Sequence, residues 1–118
     1  MNDILGLFRH AQNAEHRRAG EVIFETSTPA TCMYVVRSGQ LTVTIGGRTV
    51  ETVGPGGMVG EMALLDDEPR SATVIAHTDC EIVPVDRNRF LFMVRETPFF
   101  ALAVMRVMAQ RLRARTRP

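Results

Sequence analysis

Gly60-Glu61-Met62-Ala63-Leu64-Leu65-Asp66-Asp67-Glu68-Pro69-Arg70-Ser71-Ala72 reads as neither a strand nor a simple turn, and its reading decides the fold. Four glycines between Gly54 and Gly60 make the backbone leading into it permissive. Glu61 to Leu65 are good helix formers with an acid in the first turn, Asp66 to Pro69 turn the chain, and Arg70 opens a new strand. A Gly-rich approach to a short helix leaves backbone N–H groups unpaired, and with the helix dipole they form a seat for an anion. Arg70 can add a bidentate, charge-assisted contact to a phosphate. Ser71 offers a hydroxyl and an amide at the same point. Glu61 repels a phosphate but accepts well from a sugar hydroxyl beside one. Such a set describes a phosphorylated sugar, most naturally a nucleotide. The same residues also fit a plainer arrangement, in which Glu61 and Arg70 pair across a surface loop and the glycines serve turns. Spacing alone leaves both open.

On either side of this segment the apolar period is two. Val22-Ile23-Phe24, Met33 to Val36, Leu41 to Ile45, Thr49 to Val53, Ala72 to Ala76 and Glu81 to Val85 are short β-branched runs separated by Gly and Pro. Ser38-Gly39 and Gly46-Gly47 read as hairpin loops, the second as a primed turn with positive φ. Strands repeating every eight to twelve residues predict a small antiparallel β-barrel or jelly roll, a double-stranded β-helix. Helical periods bracket it. Ile4, Leu5, Leu7, Phe8 and Ala11 predict one or two short helices ending near Gly20, with His10 and His16 flanking that stretch. Phe90, Leu91 and Val94 predict an apolar stripe, and after Pro98 a longer helix places Leu102, Met105, Met108 or Ala109, and Leu112 on one face. The fold class is therefore α+β, mainly β. The division is a helical segment over 1–19, a barrel over 20–86 and C-terminal helices over 87–118, in a single domain.

Composition narrows the function. At 118 residues the chain is one domain, with 45% hydrophobic and 23% charged residues, as in an ordinary globular protein. A formal net charge of +1 argues against a protein that is basic all over. All 14 basic residues are Arg, so any anion contact comes from a guanidinium, a His or a backbone amide. Cys32 and Cys80 are too few for a disulfide scaffold and read as small buried hydrophobes. His10, His16 and His77 are dispersed, without metal-ligand spacing, so no metal is expected. No nucleophile–base pair or carboxylate pair emerges, and no catalytic residue is assigned. No leader is recognised and the apolar run from Pro98 to Met105 is too short to span a bilayer, so a reduced, cytoplasmic protein with no membrane contact is expected.

The quoted stretch, continued through Pro69-Arg70-Ser71-Ala72-Thr73-Val74, resembles the phosphate-binding cassette of the cyclic nucleotide-binding domain. This is the family of the bacterial cAMP receptor protein and of cyclic-nucleotide-dependent kinases and channels. Gly20-Glu21-Val22-Ile23-Phe24, the run from Met33 to Leu41, and Asp86-Arg87-Asn88-Arg89-Phe90 resemble family segments in the same order, so the similarity covers about residues 4 to 116. It implies a cassette over 59–73. Arg70 would pair with the exocyclic oxygens of a cyclic phosphate, and Ser71 would add its hydroxyl and amide. Glu61 would accept from the ribose 2′-OH, with the amides near Gly60, Met62 and Ala63, and with Ala72, completing the cradle. A charged hydrogen bond to that hydroxyl is worth about 1.5–3 kcal/mol against a deoxy analogue. The implied ligand is cAMP or cGMP, with no other cofactor, and Ser71 rather than Thr favours cAMP.

Three departures from the family pattern stand out. Val59 replaces an aromatic residue frequent in the family, and Glu25-Thr26-Ser27-Thr28 replaces an acidic, Gly-containing turn. In the receptor-protein branch, hydroxyls on the last helix contact the adenine; here Arg115-Thr116 arrives at that place, making Thr116 a further candidate contact. No helix-turn-helix, kinase, channel or cyclase segment follows in this sequence, which leads to the expectation of a stand-alone sensor. Nucleotide binding would draw in the cassette, repack Leu64-Leu65 against Phe90, Leu91 and Val94, and swing the helices after Arg87 as a lid. Output would pass to a protein partner or a second copy through the last helix. Val50, Val59, Leu64 and Val74 read as barrel core. Two alternatives are a nucleotide-free scaffold of the same fold and a DNA-associated regulator using Arg106, Arg111, Arg113, Arg115 and Arg117. A reading helix and interleaved aromatics are lacking for the second.

Overall fold

The computed structural model describes residues 4–116, with side chains as far as Ala114. Its elements run α1 (Ile4–Phe8), β1 (Glu15–Arg17), β2 (Val22–Phe24), β3 (Cys32–Ser38), β4 (Leu41–Ile45), β5 (Arg48–Val53), β6 (Met58–Val59), α2 (Glu61–Asp66), β7 (Thr73–Ala76), β8 (Cys80–Asp86), α3 (Arg87–Glu96) and α4 (Pro98–Thr116). Two four-stranded sheets, ordered β1-β8-β3-β6 and β2-β7-β4-β5, face each other with every pairing antiparallel. This is the jelly roll expected from the sequence. The β4–β5 connection is the predicted primed turn, with φ of 59° at Gly46 and 79° at Gly47, values that side chains other than Gly rarely tolerate.

Alternation along the strands separates two apolar clusters. Ile23, Val36, Leu41, Val43, Val53, Val59, Val74 and Ile82 fill the space between the sheets. From the other face of the first sheet, Met33 and Val35 on β3 and Val83 and Val85 on β8 meet Phe8, Phe90, Met93, Phe100 and Val104 from the helices. Strands β3 and β8 are thus buried on both faces, and that sheet is the middle layer of the molecule.

The N-terminal segment differs from the expectation of a helix reaching Gly20. Helix α1 stops at Phe8, and Glu15–Arg17 is an edge strand in register with Cys80–Ile82. Its polar sequence carries no strand period; pairing to β8 overrides local propensity. The Arg37 guanidinium donates to the carbonyls of Phe8, Arg9 and Ala11 at 3.4, 3.4 and 3.0 Å, which fastens the chain leaving α1 to β3.

Asp86 caps α3, its carboxylate accepting from the Arg89 amide at 2.8 Å. The inward residues of α3 are Phe90 and Met93, while Leu91 is exposed, which corrects the Phe90–Leu91–Val94 stripe. On α4 the expected apolar face is turned outward: Leu102, Met105 and Leu112 are exposed, and Phe100 and Val104 are buried. Among the described residues no helix is long and apolar enough to cross a membrane.

Phe100 anchors α4. It is fully buried, with its ring centroid 5.8 Å from Phe90 and 6.4 Å from Phe8. Phe100→Ala removes the one aromatic joining α1, α3 and α4 and should lower unfolding stability by about 3–5 kcal/mol in urea titrations followed by circular dichroism.

Candidate functional site

Gly60, Glu61, Met62, Ala63, Arg70, Ser71 and Ala72 all line one cavity of about 390 Å³ between α2, the β4–β5 hairpin and the distal part of α4. Gly60 makes this possible. It stands at the N-cap of α2 with φ 82°, and a Cβ there would fall 2.4 Å from the Arg70 Nη1 atom. Any side chain would push the guanidinium out of place.

Arg70 is only 6% exposed. Its Nη1 donates to the Gly60 carbonyl at 3.2 Å and its Nη2 to the Cys32 carbonyl at 2.6 Å. The guanidinium lies over the Phe24 ring, 3.9 Å from the centroid, and Phe24 in turn stacks on Tyr34 at 6.2 Å and 21°. Its Nε is buried without a hydrogen-bond partner, and no carboxylate among the described residues pairs with it. Burial, the largest influence, pushes the guanidinium pKa down from its ordinary value. The backbone of Arg70 is fixed by the Glu25–Thr28 turn, with Ser27 N–H donating to the Arg70 carbonyl at 2.8 Å and Arg70 N–H to Thr28 at 2.9 Å. That turn, the sequence's second departure, therefore positions Arg70.

Glu61 is 1% exposed and does not pair with Arg70, so the surface-loop arrangement is not the one adopted. Its partner is Arg111 of α4, through Nη1. The same guanidinium grips Glu51 of β5 at 2.9 Å through Nε and 3.1 Å through Nη2, and donates to the Met58 carbonyl at 2.7 Å. Burial pulls the Arg111 pKa down, but the hydrogen bond to Glu51 and the attraction of Glu61 and Glu51 outweigh it, and the value is raised. Reading Arg111 as part of a basic tail missed this. A signal was present: Phe100, Val104, Val107 and Arg111 share one helical face, and that face is the inward one.

Ser71 is exposed at the rim, and Ala63 and Ala72 are buried in the wall. Val43, Ile45, Val50, Val59 and Val74 supply apolar lining. Val50 corrects the core reading: it is half exposed and faces the cavity from the β5 edge, whereas Val59, Leu64 and Val74 are buried. Thr116 ends α4, and its side chain lies outside the described residues. No group of three or more His, Cys, Asp or Glu among the described residues could hold a metal ion.

The cavity thus brings a buried guanidinium without a carboxylate partner and a buried carboxylate to one wall. The profile of the cyclic nucleotide-binding domain matches residues 14–97. The chain belongs to that family. It is 35% identical over 99 residues to the cyclic AMP receptor protein of Thermus thermophilus, covering 80% of this chain and 46% of that one. The crystal structure of the Thermus thermophilus catabolite activator protein superposes with a TM-score of 0.75 at 33% identity, over 85% of this chain and 49% of that one. The regulatory domain of Toxoplasma gondii PKA with cAMP gives 0.62 at 34% identity, over 65% and 31%. The chain thus spans less than half the length of these relatives.

Tyr34, the single tyrosine, reports on the Arg70 platform. Burial first, then the Cys32 side-chain hydrogen bond, push its phenol up to about 12. Because the folded value is raised above the ordinary 10, this contribution to stability is complete below pH 10 and fades as pH rises toward 12. Spectrophotometric titration of phenolate should show no ionisation near pH 10, and the urea midpoint of the natural chain relative to Tyr34→Phe should fall only above that pH.

Proposed function

We propose that this chain is a cyclic nucleotide-binding regulatory module, 1–118 forming one domain, that takes cAMP in the cavity between α2 and α4. One observation carries the reading. A guanidinium is buried at the cavity wall with carbonyls and a ring for neighbours, no acid to neutralise it, and an unpartnered Nε. An uncompensated buried charge is expensive unless a counter-ion joins it. The cyclic phosphate is that counter-ion, held by Arg70, by the hydroxyl and amide of Ser71, and by the first amides of α2 at Glu61, Met62 and Ala63, which have no intrahelical acceptor.

Glu61 accepts from the ribose 2′-OH, the one free ribose hydroxyl of a 3′,5′-cyclic nucleotide, through the carboxylate face that Arg111 leaves open. Gly60 and Ala72 let the sugar phosphate approach the backbone. The apolar wall of Val43, Ile45 and Val50 gives the purine a surface to stack on, and Thr116 is the candidate hydroxyl contact for the base. The module is a binder rather than an enzyme. Its output runs through the C-terminal helices: Leu64 of α2 already packs in one cluster with Phe90 and Met93 of α3, so movement of the cassette is felt by the helices. Leu65 and Leu91, exposed in this state, are free to join that contact. The receiver is a protein, another copy of the chain included.

Calorimetric titration with cAMP should show binding by the natural chain and at least about tenfold weaker binding by Arg70→Ala, the loss of one charge-assisted contact. Equal affinity of the two would remove Arg70 from the phosphate site, and absence of heat from both would leave the fold as a nucleotide-free scaffold.

A further inference from the structure

Helix α4 is held in two different ways along its length. Its first half is packed: Phe100 and Val104 are buried among α1, α3 and the first sheet. Beyond Val107 and Met108, which still pack against that cluster, the helix is largely exposed. Leu112 is 65% exposed, and a groove of about 500 Å³ runs beneath the helix between Val50–Met58 and the side chains of Val107, Gln110 and Arg111. Arg111 and Ala114 belong both to this groove and to the nucleotide cavity, so the distal half of α4 forms the wall between them. Arg111 ties this half to the barrel by four hydrogen bonds, and two of them go to Glu51.

We infer that Glu51 is a positioning residue that clasps the distal half of α4 over the nucleotide cavity and so sets how long a bound nucleotide stays. Glu51 sits on the β5 edge, on the side of Arg111 opposite Glu61. A fork with acids on both sides has one favoured orientation, since Nε and Nη2 are committed to Glu51 and Nη1 alone is left for Glu61. Glu51 thereby fixes two things at once: the height of α4 above the cavity, and the carboxylate oxygen of Glu61 that Arg111 occupies. Without it, the helix beyond Val107 and Met108, which pack against the core cluster, keeps a weaker hold on the barrel through Arg111. Lid opening then limits release, and because the clasp is also closed with the cavity empty, its loss does not slow entry. The inference rests on the cyclic-nucleotide reading for its ligand, but the clasp exists with the cavity empty and is measurable there.

Glu51→Gln keeps the side-chain volume and removes the charge. Hydrogen exchange of the ligand-free variant should speed up over residues 107–114 and stay unchanged over 98–104. Stopped-flow displacement of a fluorescent cAMP analogue should show release about five- to tenfold faster with association no slower. Glu51→Asp, which keeps the charge on a shorter stem, should recover part of the slow release. Unchanged exchange over 107–114, or a loss of affinity arising wholly in association, overturns the clasp. If the natural chain binds no cyclic nucleotide but the exchange difference appears, the clasp stands and the ligand assignment fails. If nucleotide binds and Arg70→Ala abolishes it while Glu51→Gln changes neither exchange nor release, the ligand stands and the clasp fails.

Discussion

A charged guanidinium buried beside carbonyls and a ring, without an acid, is the constraint around which this structure is arranged. Arg70 draws on four separate parts of the chain: Gly60 before α2, Cys32 at the start of β3, Phe24 on β2 and the Ser27–Thr28 turn. Those parts lie in both sheets, so the barrel must be closed for the seat to exist. Burying such a cation costs free energy that the carbonyls and the ring offset only in part.

The second buried cation is treated in the opposite way. Arg111 is satisfied in the empty state by two acids and a carbonyl, and it arrives from a helix rather than from the barrel. One guanidinium is held by carbonyls and a ring and the other by carboxylates, so the two arginines of the cavity differ in what neutralises them.

Much of the barrel was legible in the sequence because it obeys local rules. Period-two runs, the Gly46-Gly47 turn and the Asp86 cap each state their structure within a few residues. The cassette was legible through the chemistry of Glu61, Arg70 and Ser71 and through the family pattern. Failures occurred where long-range pairing decides. Glu15–Arg17 has no strand period and becomes a strand only because β8 offers an edge. The stripe of Leu102, Met105 and Leu112 is apolar and helical in spacing, yet it faces outward, because Phe100, Val104 and Val107 take the inner face. Arg111 looked like one more residue of a basic tail, since nothing local shows that two acids fifty and sixty positions earlier stand opposite it.

The means by which Arg70 is held has a further consequence for the conditions under which the seat is available. Its immediate neighbours are two peptide carbonyls and a phenylalanine ring, and no imidazole lines the cavity. None of these groups gains or loses a proton near neutrality. A seat built on histidine would change its affinity with each shift in cellular acidity. The groups that hold Arg70 keep their charge state across such shifts.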